Sequence, residues 1–510
     1  MRNYIIKITV LISAILVFNS CSESLLDIEQ KGVTTQDNFY KTDEEALQGV
    51  VAAYQQMQIY NFLTKLCLSD DVYTGGGARA DQVTFEELNE FTFGASNVAI
   101  SAAFKQYYHS IYLANKVVDL TDDTSSERKK IIAEAKAIRA FYYFDLVTLW
   151  GDVPLVLHEL DASEYSQEAV PASEIWNQIE TDLKEAIEVL PLKSQQSEAA
   201  VFRFSKGAAQ SLLGKAYLFQ KKYNEAASMF ENIINSKEYG LIGDYSRILR
   251  ADSEFGSESI LEAPHTAQFW ATTTSPNSAF YTFALLGPRG GFFLPGNTGL
   301  LAGWGFANPT PSIYQAFMDA GDEIRRKSSI MTEAEINELG GSLRNTSGDL
   351  PYANVGSIRL KYGSWADETT LPLDKFSYGT DFRLIRYADV LLMAAEANNR
   401  NGNDGKALQY LNEVRARVSL PGLSVTGDEL FDKIKKERRL ELAFEGQRFQ
   451  DLVRWGDAPA LLVNQGKQIP RGNGQYYDIS DAGFKSYNVL LPIPENELRV
   501  NSNLSQNTGY

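Results

Sequence analysis

The feature that most restricts how this chain can fold is a spacing of small and large residues just before its midpoint. Leu213 and Gly214 are followed by Tyr217, and Ala226 is followed four residues later by Phe230. In two antiparallel helices joined by a short turn, small residues let the helix axes approach and large side chains fill the remaining space. The spacing therefore predicts a closely packed pair of helices.

The same spacing returns further along the chain in a weaker form. A second copy starts near Tyr387, and its repeat positions are Ala394, Ala395, Asn398, Ala407 and Leu411. A third candidate pair consists of a first helix over 127–151 and a second helix over 173–191, with a strand-like insertion at 152–155 between them. Tetratricopeptide repeats have this spacing, and such helix pairs stack side by side. We therefore predict a mostly α fold, in which tetratricopeptide-like helix pairs form a curved scaffold.

The chain over 242–381 lacks this helical periodicity, because Gly, Pro, Asn and Thr interrupt it. Aromatic side chains are concentrated there: Phe269, Trp270, Phe280, Tyr281, Phe283, Phe292, Phe293, Trp304 and Phe306. Long loops inside a compact protein are usually functional. We interpret 242–381 as a loop-rich, ligand-binding subdomain with little β structure. It lies between an N-terminal helical region over 21–241 and a C-terminal region over 382–510 that returns to the scaffold.

The stretch ERRLELAFEGQRFQDLVRWG at 437–456 mixes four acidic and four basic residues with apolar ones. As one continuous helix it would place Arg448 three residues from both Glu445 and Asp451, and Arg454 three residues beyond Asp451, so that opposite charges stack along one ridge. Its apolar face consists of Leu442, Phe449, Leu452 and Val453. Because the charges cancel, the stretch lacks the positive excess of a phosphate-binding helix, and we interpret it as scaffold.

The charge and the rare residues exclude several functions. A formal net charge of −17 over 510 residues argues against nucleic acid or an anionic membrane surface as the main partner. The histidines are too widely separated to indicate a metal site: His109, His158 and His265. In the segment 399–405, Asn residues alternate as in a calcium loop, but Asp404 and Tyr410 stand where Gly and Glu are needed, so a helix-to-helix turn is predicted. We predict neither a metal nor a cofactor.

The N-terminal leader differs in composition from the rest. Two basic residues precede a mainly apolar run of eleven residues at 8–18, too short to span a bilayer but typical of a signal peptide. Cys21 follows this run after Asn19 and Ser20, which predicts a lipoprotein signal peptide over 1–20 and acylation of Cys21. An ordinary secretory signal is the alternative. Cys67 would then be the sole remaining thiol, and its apolar surroundings predict a small core residue.

Several segments resemble signatures of the SusD/RagB family of surface nutrient-binding lipoproteins. They are the stretch 437–456 described above, RYADVLLMAAEA at 386–397, LLPIPENEL at 490–498, and the N-terminal segment 24–54. The resemblance implies tetratricopeptide-like helix pairs that support a loop-rich subdomain, with the signature helices as scaffold rather than site. It also implies a non-enzymatic, lipid-anchored protein, exposed on the outer membrane, that captures oligo- or polysaccharide. Such a protein acts as a lid on a SusC-like, TonB-dependent barrel.

A sugar ring has an apolar C–H face and a rim of hydroxyls, so its site needs aromatic platforms edged by polar side chains. The resemblance implies ligand contacts in loops of two regions, 71–97 and 269–306. The candidate residues are the aromatic Tyr73, Trp270, Tyr281 and Trp304 and the polar Arg79 and Asn97. For each aromatic residue, packing in a subdomain core is the alternative.

Three other functions stay open on the sequence alone. A glycoside hydrolase would need only two facing acidic residues, although no nucleophile or metalloprotease motif supports catalysis. A bare tetratricopeptide adaptor is a second possibility, and the aromatic-rich middle argues against it. Some relatives within the family resemble binders of peptides, which the signatures do not distinguish. The triple glycine at 75–77 lacks a phosphate signature and predicts a flexible loop.

Overall fold

Long helices make up most of the described residues up to residue 236. The structure is a computed structural model and describes residues 39–58, 62–266, 284–369 and 378–510. The elements of this first part are α1 (Asp43–Gln58), α2 (Phe62–Cys67), β1 (Val72–Gly75), α3 (Val83–Glu90), α4 (Val98–Leu120), α5 (Ser126–Trp150), α6 (Ala172–Val189), α7 (Lys206–Phe219) and α8 (Tyr223–Ser236).

Shorter elements follow, before helices return near the C-terminus. They are β2 (Ser259–Ala263), β3 (Phe306–Pro309), α9 (Pro311–Asp319), α10 (Glu323–Ser329), β4 (Ile330–Thr332), α11 (Glu333–Glu338), β5 (Ser357–Arg359), β6 (Phe382–Arg386), α12 (Tyr387–Arg400), α13 (Asp404–Arg417), α14 (Gly427–Glu441), α15 (Arg448–Trp455), α16 (Ala458–Leu461), β7 (Gln468–Pro470), β8 (Tyr476–Asp478) and α17 (Glu495–Val500).

The helix pair predicted from the Leu-Gly and Ala-Phe spacing is present as α7 and α8. A methyl group at Gly214 would lie 2.6 Å from the Phe230 ring, so only glycine allows the ring to approach the α7 backbone here. Ala226 and Phe230 are fully buried. The hydroxyl of Ser205 caps α7 by accepting from the Ala208 amide at 3.2 Å. The prediction of this pair is confirmed.

The helices form one continuous array. α5 packs between α4 and α6, α6 packs on α7, and α7 pairs with α8. α8 then packs against α12, which pairs with α13 and also contacts α14. The strand-like insertion between α5 and α6 is present as a single antiparallel bridge from Val153 to Val170. The three helix pairs predicted from the sequence are confirmed, and so is the mostly α fold.

The middle of the chain is less irregular than its sequence suggested. It contains α9, α10, α11 and the two-stranded ribbon β4–β5, and its strands β2 and β3 pair with β6 and β1, which lie outside it. A small separate core lies there: Phe293, Leu300, Ile336, Leu343, Ile358 and Leu360. Helical periodicity was not recognised because these helices have only six to nine residues, too few turns for a pattern to repeat.

The stretch 437–456 is not one continuous helix, so that expectation was wrong. α14 ends at Glu441, and the chain turns through Phe444 and Gly446, which have φ angles of +63° and +74°, before α15 begins. The turn changes the ion pairs. Arg454 pairs with Asp451 as predicted, at 2.8 Å, but Arg448 donates to Asp70 at 2.9 Å. The predicted burial of the apolar face holds for Leu442, Phe449 and Leu452, whereas Val453 is only partly buried.

A buried network of charges joins the middle of the chain to the helical array. Its five cations are Arg325, Lys361, Arg386, Arg415 and Arg417, and its five carboxylates are Glu258, Asp322, Glu437, Glu441 and Glu445. Glu441 lies at the centre and has no exposed surface. The network is neutral, because a buried charge is tolerated only when it is paired. The acidic residues of the 437–445 segment therefore act as scaffold, as predicted.

Two smaller predictions are also confirmed. Segment 399–405 is the turn between α12 and α13, where the Asn399 amide donates to the carboxylate of Asp404 at 2.7 Å and to the carbonyl of Gly427 at 2.9 Å. Cys67 is fully buried, and burial raises the pKa of its thiol. Among the described residues, no helix combines the length and the apolar character needed to cross a membrane.

Candidate functional site

The two segments predicted to carry ligand contacts are joined in one antiparallel ribbon. β1 pairs with β3, so that Tyr73 lies opposite Asn308 and Gly75 opposite Phe306. Beyond the paired strands, the amide of Gly76 donates to the carbonyl of Gly305 at 2.9 Å. Segments more than 200 positions apart in the chain therefore meet in what we call the β1–β3 ribbon.

The glycines at 75–77 are held in place by this ribbon. Gly75 has a φ of +78°, and a methyl group on it would lie 2.1 Å from the Gly305 carbonyl oxygen. Gly76 has a φ of +104°, and the Gly77 amide donates to the Asp81 carboxylate at 2.7 Å. Gly75 is therefore the last residue of β1 rather than part of a loop, and Gly76 and Gly77 begin the turn that follows. The glycines allow a strand end and a tight turn to approach a neighbouring backbone.

One edge of the ribbon carries an aromatic ring, a guanidinium and a carboxylate. Trp304 is partly exposed, its amide donates to the Ala284 carbonyl at 2.8 Å, and its carbonyl accepts from Arg289 Nη1 at 3.2 Å. A methyl group on Gly77 would lie 2.7 Å from Arg289 Nη2 and 3.1 Å from Asp81 Oδ2. We call Gly77, Asp81, Arg289 and Trp304 the tryptophan edge. These residues supply a partly exposed indole and the paired donors and acceptors that vicinal hydroxyls require, and the contacts that join Trp304 to Arg289 and Ala284 are those of its backbone.

Tyr73 lies at the other edge, beside a hairpin that the sequence analysis missed. Together with Tyr477 it packs against a small core that includes Tyr352, and burial and the neighbouring Tyr476 raise the pKa of its phenol. Tyr476 is 51% exposed, and the Arg471 guanidinium lies 4.6 Å from the centre of the Tyr477 ring. We call Tyr73, Arg471, Tyr476 and Tyr477 the tyrosine edge.

The missed residues had a recognisable signal. Gly472-Asn473-Gly474 is a strong hairpin turn, and two tyrosines follow it closely in the strand β8. Arg289 and Asp81 carried no such signal, because nothing in the sequence near either residue indicates that both lie beside Gly77.

The structure gives Arg79 and Asn97 partners of their own. Arg79 forms a two-pronged ion pair with Glu90, with Nη2 2.9 Å from Oε2, and its side chain is 31% exposed. Asn97 is 3% exposed and caps α4 by accepting from the amides of Ala99 and Ile100 at 3.1 Å. Its amide nitrogen donates to the Glu87 carboxylate at 2.7 Å and also to the Thr84 carbonyl. Asn97 therefore has a structural role, and we withdraw it as a ligand contact.

Three other predicted residues lie outside the residues that the structure describes: Cys21, Trp270 and Tyr281. For the proposed ligand site, the described candidates are thus Tyr73, Arg79 and Trp304. The structure adds Asp81, Arg289, Arg471 and Tyr476 beside them.

Stacked helix pairs that carry an irregular unit with aromatic and guanidinium groups at its surface define a class of binding proteins built on a helical scaffold. The family model described as "SusD family" matches residues 258–510, and the model described as "Starch-binding associating with outer membrane" matches 26–218. A solved structure of a "Laminarin binding SusD-like protein" is 32% identical in sequence, has a TM-score of 0.79, and covers 92% of this chain and 100% of its own. The chain belongs to the SusD/RagB family.

Other relatives extend this similarity over almost the whole chain. SusD-like protein P2 of Formosa agariphila is 29% identical over 537 aligned residues, which include 100% of both chains. The starch-binding protein SusD of Bacteroides thetaiotaomicron is 25% identical and covers 83% of this chain and 81% of its own. The solved structure of surface glycan-binding protein A from Bacteroides fluxus has a TM-score of 0.77 at 25% identity, covering 92% of this chain and 100% of its own.

Proposed function

We propose that this protein binds oligo- or polysaccharide at the β1–β3 ribbon. The observation that carries the proposal is the pairing of Gly75 with Phe306, because it places the glycine turn, Arg289 and Trp304 beside one another. Membership of the family and the similarity to a laminarin-binding relative support the same ligand class.

The two edges of the ribbon suit different parts of a chain of sugars. On the tryptophan edge, the indole of Trp304 would stack on a sugar C–H face, while Arg289 and Asp81 would bind hydroxyls at its rim. On the tyrosine edge, Tyr476 and Arg471 would contact a neighbouring sugar. Trp270 and Tyr281 remain proposed aromatic platforms. Arg79 remains a proposed polar contact, although its guanidinium already pairs with Glu90.

We further propose that the protein acts as a nutrient-capture component of the outer membrane and is not an enzyme. Cys21 would be acylated and anchor the chain on the cell surface, and bound glycan would pass to a SusC-like, TonB-dependent barrel for which this protein is the lid. The description of the family model over 26–218 as associating with the outer membrane supports this location.

Calorimetric titration of the purified protein with laminarin oligosaccharides, other glucans and short peptides tests the ligand. Losing one stacking platform in Trp304→Ala or Trp270→Ala should weaken binding by about 1–3 kcal/mol, roughly 5–150-fold. Tyr165→Ala is the matched control, because Tyr165 is 68% exposed and belongs to neither edge.

Two outcomes would contradict the proposal in different ways. If both tryptophan variants fold normally and bind glycan as tightly as the parent, the site is wrong. If peptides bind and no glycan does, the ligand class is wrong, and the peptide-binding function of some relatives replaces it. Release of reducing sugars during incubation would contradict the non-enzymatic assignment.

A further inference from the structure

A cavity lies between α9 and α14, and none of its lining residues belongs to the β1–β3 ribbon. Its volume is about 430 Å³, within the roughly 300–1,000 Å³ range of small-molecule sites. α9 contributes Ala316, and Ala320 follows at its end, so the helix lines the cavity with small side chains. Because these residues do not fill the space opposite α14, the two helices leave a gap that is partly apolar, with Leu423 and Leu440 completing the lining.

The residues that line the cavity include more cations than anions, although the chain as a whole has a net charge of −17. Its cationic side chains are Arg415, Lys433, Lys436 and Arg439, and its acidic ones are Asp319 and Glu437. Four positive and two negative charges leave an excess of two positive charges in the lining. An excess of cations around a concave surface attracts anions.

Most of these charges already have partners. Arg415 donates to the Glu437 carboxylate at 2.7 Å, Arg439 lies 2.8 Å from the Asp71 carboxylate, and Asp319 accepts from Gln315 at 2.7 Å. Each of these pairs consumes hydrogen-bonding capacity that a ligand would otherwise use. The arginines therefore shape the cavity rather than receive an anion.

The two lysines differ from these residues. Within the described ranges, neither Lys433 nor Lys436 lies within ion-pair distance of a carboxylate. Lys435, between them on the same helix, does not line the cavity and pairs with Asp432 at 3.1 Å and with Asp457 at 3.0 Å. Of the three lysines at positions 433, 435 and 436 of α14, the two with no carboxylate partner are thus the two that line the cavity.

We propose that this cavity binds a small organic carboxylate with a body about the size of one sugar ring. The ammonium groups of Lys433 and Lys436 would donate to the carboxylate oxygens, and the alanine and leucine side chains would contact the apolar face of the ring. A hexuronate, whether free or within an acidic glycan, has this chemistry. The proposal does not depend on the glycan site at the ribbon, since no cavity residue belongs to either of its edges.

Titration of the full chain with D-glucuronate and with D-glucose distinguishes the contribution of the carboxylate charge to binding from that of the sugar ring. We expect saturable binding of glucuronate, at least roughly tenfold tighter than that of glucose, and weakening at higher ionic strength. The double variant Lys433→Gln/Lys436→Gln should weaken glucuronate binding by roughly tenfold or more. The matched control is Lys435→Gln/Lys129→Gln, which removes two charges outside the cavity and should bind as the parent does.

A second variant tests the cavity without changing its charge. Ala316→Leu should weaken glucuronate binding by narrowing the space between α9 and α14, while thermal unfolding shows that the protein remains folded. The proposal is overturned if the parent does not bind glucuronate, if glucose binds equally well, or if both cavity variants bind like the parent. Inorganic sulfate that binds as tightly as glucuronate would show an adventitious ion only and would overturn the role of the ring. Loss of glycan binding in Trp304→Ala with glucuronate binding unchanged would show that the two sites are separate.

Discussion

Replacement of Glu441 by Gln should cost far more stability than any surface substitution. The Glu441 carboxylate accepts from Arg325 at 3.1 Å, from Arg386 at 2.8 Å and from Arg417, and none of its surface is exposed. Burial alone would raise its pKa, but Arg417, Arg386, Arg325 and Lys361 together hold the pKa well below its usual range. The carboxylate is therefore ionised in the folded protein.

The Glu441→Gln variant keeps the shape of the side chain and removes one of five negative charges from a network with five positive ones. Breaking a buried pair in this way leaves an uncompensated charge and costs about 3–5 kcal/mol. Because native proteins have a total stability of roughly 5–15 kcal/mol, the variant should unfold at clearly lower denaturant concentration. Equilibrium unfolding in guanidinium chloride, followed by tryptophan fluorescence, measures the change.

The pH dependence adds an independent check on the same variant. A carboxylate whose folded pKa lies below its unfolded pKa contributes stability above about pH 4.5, and that stability is lost as the pH falls through the folded pKa. The difference between parent and variant should thus be full at neutral pH and shrink in acid. Glu188→Gln, at an exposed position of α6, is the control and should change stability by less than about 0.5 kcal/mol. A cost below about 1 kcal/mol for Glu441→Gln, or one that is constant with pH, would refute the reasoning.

Two further predictions concern a buried acid and the cellular setting. Burial, together with Glu254 and Glu262, raises the pKa of Asp381 to about 9, so the stability that the protonated Asp381 contributes decreases as the pH rises from about 4 to about 9. The free energy of unfolding of Asp381→Asn should therefore rise by about 1–4 kcal/mol relative to that of the parent as the pH is raised from 5 to 8. Denaturant titration at each pH measures this difference, and stability curves that run parallel with pH would contradict the prediction. We also expect protease added to intact cells to degrade the protein, Cys21→Ser to release it from the membrane fraction, and mild-detergent pull-down to recover a large barrel. Complete protection from protease, or recovery of the protein alone, would argue against surface exposure or the barrel partner respectively.

The helical array could be predicted from the sequence because its rules are local. Gly214 and Phe230 lie sixteen positions apart and meet across a single turn, so their contact follows from helix geometry and a short connection. The same holds for the pair α12 and α13, whose repeat positions were recognised despite a weaker pattern. Burial of Cys67 and the turn at 399–405 also follow from their immediate neighbours in the chain.

The ribbon could be predicted only in part. The composition of the two segments indicated which regions carry polar loops and aromatic side chains, but their pairing joins Gly75 to Phe306 across more than 200 residues. Pairing at that separation depends on how the whole chain folds back, which no local pattern records. For this reason Arg289 was missed, and Asn97 was assigned to a ligand although it caps a helix. The hairpin that carries Tyr476 has a local signal, and only its position beside Tyr73 required the tertiary structure.

The charged residues of 437–456 show most clearly which properties depend on the sequence alone and which depend on the tertiary structure. The sequence by itself determined that the acidic and basic residues of 437–456 balance and that an apolar face accompanies them, because both properties depend only on residue type and spacing. Only the tertiary structure decided the partners: a turn at Phe444 and Gly446 separates two helices and sends Arg448 to Asp70 and Glu441 to Arg386. A charged side chain has many possible partners of opposite charge in the sequence. The three-dimensional packing selects among them, since a buried charge must find its counterion wherever the backbone brings one.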